Sequence, residues 1–238
     1  MALSEKNIYV YENWENEEPS LIGFLRSSFI RGTENFSFEY ADEWLKQQKG
    51  GCVLDPNLSF YRGRQYMNSD NSLFGLFLDS CPDRWGRLLM TRREALKAGK
   101  ENRKPRKLTE SDFLLGVCDE ARMGALRFAL EKNGEFLSYE RGHSIPPWVK
   151  LRTLEHASFA FEKDDAGMDE QWLKELLAPG SSLGGARPKA TVQAADGTLW
   201  IAKFPSRHDE YNSGAWEMTV HDLARQCFLD VPEARLEN

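Results

Sequence analysis

Between Ala178 and Ser206 the chain reads APGSSLGGARPKATVQAADGTLWIAKFPS. Two serines, two glycines and an Arg-Pro-Lys stand directly before a strand-turn-strand pattern. Gly184 and Gly185 have no Cβ, so their backbone can take positive φ and come close to a ligand. Successive N–H groups in such a turn can converge as an anion nest, with Arg187 and Lys189 adding positive charge at its rim. The spacing matches neither G-x-x-x-x-G-K-[ST] nor G-x-G-x-x-G, so the loop alone is a weak signal and reads first as a flexible connection.

The sequence that follows narrows this choice. LWIAKFPS is a strand whose apolar side chains surround one lysine, Lys203. A lysine there is costly unless it meets an anion or reaches solvent at a sheet edge. Further on, SGAWEMTVHDLARQ puts Glu217 early on a helix whose apolar stripe is Trp216, Val220, Leu223 and Cys227. Glycine-rich loop, strand, turn, lysine strand and glutamate helix is the order of parts in a protein-kinase N-lobe. There the lysine contacts ATP phosphates and the glutamate holds the lysine. Taken singly, Lys203 reads as a snorkelling edge residue and Glu217 as part of a solvated helix face.

Upstream, NIYVYENW, LIGFLRSSFIRG and NFSFEY read as strands, with Gly32-Thr33-Glu34-Asn35 as a hairpin connection. ADEWLKQQKGG reads as a short helix closed by Gly50. SCPDRWGRLLMTRREALKAG predicts a longer helix, with Pro82 in its first turn, Gly99 at its end, and Trp85, Leu88, Leu89 and Leu96 on one face. A polar linker precedes a helix predicted over TESDFLLGVCDEAR, capped by Thr109 with Asp112 as its acidic partner. MGALRFAL follows as a strand, and Pro146-Pro147 marks a boundary. TLEHASFAFEKDD and DEQWLKELLA are helical patterns, a hairpin turns at Asp196-Gly197, and a last helix is predicted from about Asp209 to Phe228. The division is residues 1–145 and 146–238, and the fold class is α+β.

Several functional classes are excluded by composition. Hydrophobic residues make up 41% of 238, enough for a core, yet no run approaches the roughly 20 apolar residues of a membrane span. The N-terminus has no basic segment before an apolar one, so it is not a secretory signal. Cys52, Cys81, Cys118 and Cys227 are scattered without a Cys-x-x-Cys pair, which predicts free thiols and a cytoplasmic protein. His143, His156, His208 and His221 show no metal-ligand spacing. The net charge of −6 conceals ten Lys/Arg against two acids between Arg84 and Lys107, a local +8. That segment reads as a solvated helix face and linker, or as a contact for acidic partners or DNA phosphates.

The motifs SSLGGARPKA, LWIAKFPS and WE...HDLA, with FSFEYADEWL, LFGLFLDSCPDRWGRLLM and SDFLLGVCDEARMGALRF before them, resemble the HipA-like serine/threonine kinases. These are toxins of bacterial toxin–antitoxin pairs. The resemblance covers nearly the whole chain. It implies an N-terminal mixed β/helical subdomain followed by a kinase-like N-lobe of antiparallel sheet plus helix. It further implies that Ser182, Leu183, Gly184, Gly185, Ala186, Lys189, Lys203 and Glu217 serve the nucleotide, with ATP and Mg2+ as cofactors of the complete family member. A serine on this loop can be autophosphorylated in the family. Ser182 holds the matching position, and Ser181 is the local alternative. A phosphate there would add roughly −1.5 to −2 charges where ATP phosphates should sit.

The resemblance also implies partners: a DNA-binding, HipB-like antitoxin, DNA through that complex, and a protein substrate such as an aminoacyl-tRNA synthetase. A kinase additionally needs an aspartate for the substrate hydroxyl and ligands for magnesium. No such set follows Glu217, and HDLARQ lies within the predicted glutamate helix. The expectation is therefore a partial kinase, inactive alone: a trimmed fragment, a truncated gene or one half of a split system. The alternative is a non-catalytic module that engages an antitoxin or a separate kinase C-lobe.

Overall fold

The structure, a computed structural model, describes residues 5–14, 18–47, 53–67, 73–137, 145–163, 176 and 185–237. It is a mixed α+β fold. Strands β1 (Lys6–Glu12), β2 (Ser20–Ile30), β3 (Thr33–Tyr40), β4 (Gln65–Tyr66) and β5 (Leu126–Ala129) form an antiparallel sheet in the order β4-β3-β2-β1-β5. The β2–β3 turn is tighter than the sequence predicts. Ile30 pairs with Thr33, leaving only Arg31 (φ 52°) and Gly32 (φ 83°) between the strands. Two successive positive φ values match the twist of the flanking strands, so Thr33, Glu34 and Asn35 join β3. Further along, Val10 pairs with Gly23 and Tyr11 with Leu21, which leaves Ile22 in a bulge, fully buried.

One face of this sheet carries the first core, including Ile8, Val10, Leu25, Phe38 and Phe128. Helix α1 (Asp42–Gln47) adds Trp44, and α2 (Gly75–Asp79) adds Phe77. No side chain of its own caps α2. Asp55, 2% exposed, does so from a distant loop by accepting a 2.8 Å hydrogen bond from Leu76 N.

Helix α3 (Arg84–Lys100) begins later than the sequence suggests. Pro82 lies outside it, and Asp83 is the N-cap, accepting from Trp85 N (3.1 Å) and Gly86 N (3.3 Å). Of the face expected to be apolar, Trp85 and Leu89 are buried, but Leu88 is 52% exposed and Met90 takes the inward position. Helix α4 (Glu110–Leu115) has the Thr109–Asp112 capping box, yet it stops well before Arg122. Gly116 passes so close to α3 that a Cβ would lie 2.1 Å from the Met90 methyl. Arg122 then donates to the carbonyls of Leu114 and Val117, groups that a longer helix would have used itself, and also to Ser80 O at the end of α2. A single 3-10 turn, Asp119–Ala121, covers the remainder.

A second core joins α3 and α4 to the later part of the chain. Trp85, Leu89, Met90 and Phe113 pack with Leu154, Ala157 and Phe161 of α5 (Leu151–Glu162). Ala190 and Val192 of β6 (Lys189–Gln193) and Phe204 complete it. Strand β6 pairs antiparallel with β7 (Leu199–Lys203) around Asp196-Gly197, and Pro147 bridges to Gln193. Helix α6 (Ser213–Gln226) follows, shorter at both ends than predicted, capped by the Asn212 side chain accepting from Ala215 N. Among the described residues no helix is long and apolar enough to cross a membrane.

Candidate nucleotide site

The β6–β7 hairpin builds one wall of the site. Alternation along each strand sends Ala190, Val192, Trp200 and Ala202 toward the second core, and sends Lys189, Thr191, Ile201 and Lys203 to the opposite face. On that face Lys203 Nζ donates to Glu217 Oε2 at 2.6 Å, joining β7 to α6. Both side chains are more than half exposed, so the pair stands at an open surface. The expected lysine–glutamate pairing is therefore present.

The exit of the glycine-rich loop is held from two sides. Gly185 takes φ +98°, a conformation that favours glycine. Arg187, expected at the rim, donates to Ser213 Oγ at 2.8 Å and forms an ion pair with Asp209. Asp209 is held below the usual carboxylate range, first by the hydrogen bond from Ser206 N and then by Arg187. Phe204 N donates to Pro188 O at 2.9 Å, which continues the hairpin ladder past Lys189. Lys189 turns inward: it is 4% exposed, and its amine lies 3.5 Å from Asp83 Oδ2. Burial pulls the Lys189 amine below the usual lysine range, and Asp83 opposes that shift. Ala186 is exposed beside Gly185, while Ser181, Ser182, Leu183 and Gly184 lie outside the described residues.

Reasoning from the sequence missed Asp83 and Trp85, which touch this loop from α3. Trp85 Nε1 donates to Lys189 O at 3.1 Å, and Trp85 N to Gly185 O at 3.4 Å. The available signal was PDRWGR, where an aspartate before a helix marks an N-cap.

Three arginines of the basic segment around α3 are committed to internal pairs. Arg87 grips Glu110 in two hydrogen bonds of 2.8 and 2.6 Å, and its guanidinium lies 4.5 Å from the centre of the Phe113 ring. Arg103 pairs with Glu94 and Glu101, and Arg106 with Asp112, each at 2.5 Å. These contacts lock α3, the linker and α4 together. Among the described residues, no group of three or more His, Cys, Asp or Glu is arranged to hold a metal.

Residues 181–238 match the family model described as the HipA-like C-terminal domain. That stretch contains the loop, both strands of the hairpin and α6, so the family likeness and the lysine–glutamate geometry fall on the same elements. No curated protein and no solved structure matches the chain.

Proposed function

We propose that this chain carries the N-terminal portion of a HipA-like serine/threonine kinase, with its nucleotide-binding elements at the β6–β7 hairpin and α6. The observation that carries this reading is the 2.6 Å Lys203–Glu217 pair on the open face of the hairpin, within the residues that match the HipA-like model. The residues present suit a nucleotide. Lys203 supplies a cation at an open surface, Glu217 orients it, and the Cβ-free Gly185 lets the loop backbone come close. Bound ATP would supply the phosphoryl group. Among the described residues no group of three or more His, Cys, Asp or Glu is arranged to hold a metal, and no step is assigned to magnesium.

By itself the chain is expected to bind rather than to transfer. The aspartate that would orient a substrate hydroxyl is not among these elements. Binding of an ATP analogue that Lys203→Met weakens at least about tenfold would support the site. Equal binding by the variant would count against it. Incubation with labelled ATP and magnesium should leave the isolated protein unlabelled, and label on Ser181 or Ser182 in contaminant-free protein would overturn the inactivity.

A second reading is favoured by α6. Trp216 (62% exposed), Val220 (61%) and Leu223 (54%) form its apolar stripe, and none of its residues is buried. A non-catalytic module that engages a separate kinase C-lobe, or a HipB-like antitoxin, would use such a face. Co-purification of a C-lobe that restores ATP turnover favours the kinase reading. Stable association without turnover favours the module.

A further inference from the structure

Lys189 and Lys203 are direct partners in the β6–β7 ladder, so their side chains leave the same face side by side. Two ammonium groups so placed repel unless each finds an anion. Lys203 turns outward to Glu217, and the Lys189 side chain, 5% exposed, turns inward to Asp83. Asp83 is already fixed, since its other oxygen caps α3 by accepting from Trp85 N and Gly86 N. The same turn of α3 holds the loop backbone at Gly185 O and Lys189 O through the two Trp85 donors. A Cβ on Gly185 would lie 2.8 Å from Lys189 Nζ, so the loop backbone closes directly over the amine.

We propose that Asp83 and Lys189 are a positioning pair that fixes the exit of the glycine-rich loop on α3, leaving Lys203 as the cation that meets the bound phosphate. The proposal rests on the nucleotide reading above and reassigns one of its residues. A lysine enclosed between Gly185 and Asp83 cannot also neutralise a ligand phosphate without stripping a largely buried carboxylate of its counterion. Asp83 therefore acts as a clamp on the loop, through Lys189, rather than as a rival of the nucleotide. The N-terminal part of the chain thereby takes a direct hand in shaping the loop.

The two roles for Lys189 predict effects of opposite sign. In the full chain, Asp83→Asn, Lys189→Met, the double variant and Lys189→Arg are compared by amide exchange over Gly185–Thr191 and by titration with ATPγS and magnesium. A positioning pair requires that each single variant speeds exchange and weakens the analogue by a similar factor, about tenfold. The double variant should be no worse than Lys189→Met, and Lys189→Arg should retain most of the affinity. Tighter binding by Asp83→Asn would overturn the proposal, because it would mean that a phosphate ligand had been released. Unchanged exchange in both single variants would overturn it as well. Should Lys189→Met not fold, Asp83→Asn alone still gives the sign. If no variant and not the parent binds ATPγS, the nucleotide reading fails, and the exchange comparison still decides the clamp.

Discussion

Lys203 and Glu217 meet at 2.6 Å across the gap between β7 and α6, with 56% and 52% of their side chains exposed. The geometry is close, but the setting is wet. An ion pair in solvent contributes about 0–1 kcal/mol, because water screens the attraction and two long side chains lose rotamer freedom. Lys203→Met and Glu217→Gln should therefore leave the thermal midpoint within about 3 °C of the parent. A larger drop would show that the pair supports the fold rather than a ligand. The same variants provide the functional comparison, since any loss of nucleotide affinity could not then be charged to unfolding.

Acid should loosen the α3–linker junction through Glu94. The hydrogen bond from Arg103, followed by that from Arg106 N, holds the Glu94 carboxyl at about 2, against an ordinary 4.5. The folded value is depressed, so the stabilisation is fully present above the ordinary value and is lost as pH falls through the folded one. Urea midpoints of the parent and Glu94→Gln should differ most above the ordinary 4.5 and converge as pH falls toward about 2. Parallel curves across that range would assign the acid response to other carboxylates.

Gly23 should be intolerant of any side chain. A Cβ there would sit 2.3 Å from Glu39 O and 2.7 Å from the Phe38 ring, and the nearer atom is backbone that cannot swing aside. Gly23→Ala should cost at least about 2 kcal/mol in chemical unfolding, as overpacked core sites do. Gly32→Ala meets no neighbouring atom within 4 Å, and its cost should come only from φ +83°. Equal losses at the two positions would contradict the steric account.

Much of this was legible because it is local. Alternating apolar residues gave β1 to β3, Asp196-Gly197 gave the second hairpin, and Thr109 with Asp112 gave the cap of α4. The Lys203–Glu217 pair could be read from the order of parts, since a strand and the helix after it are neighbours in the chain and in space. What escaped depends on distant segments. Arg122 ends α4 by taking the Leu114 and Val117 carbonyls, and no pattern within TESDFLLG announces that. Met90 rather than Leu88 is buried because the covered stripe of α3 runs through Trp85, Leu89, Met90, Glu94 and Ala98, and which stripe is covered is decided by its neighbours in the second core. Lys189 and Asp83 come together only once two regions far apart in sequence share a core.

The apolar stripe of α6 should behave as a surface rather than as core. Leu89 is fully buried, whereas Leu223 is 54% exposed. Removing buried methyl groups costs the transfer energy of the lost atoms plus the cavity left behind, about 2–5 kcal/mol for Leu→Ala. At Leu223 there is little cavity to leave, and the change should stay within about 0.5 kcal/mol. Urea unfolding of Leu89→Ala and Leu223→Ala measures both. If Leu223→Ala destabilises the isolated chain by as much as Leu89→Ala, the stripe is covered in solution. Should it be silent for stability yet weaken binding to a kinase C-lobe supplied in trans, the loss belongs to the interface. Trp216, 62% exposed on the same helix, then gives a second check, because its indole fluorescence should shift to shorter wavelength as the face is covered.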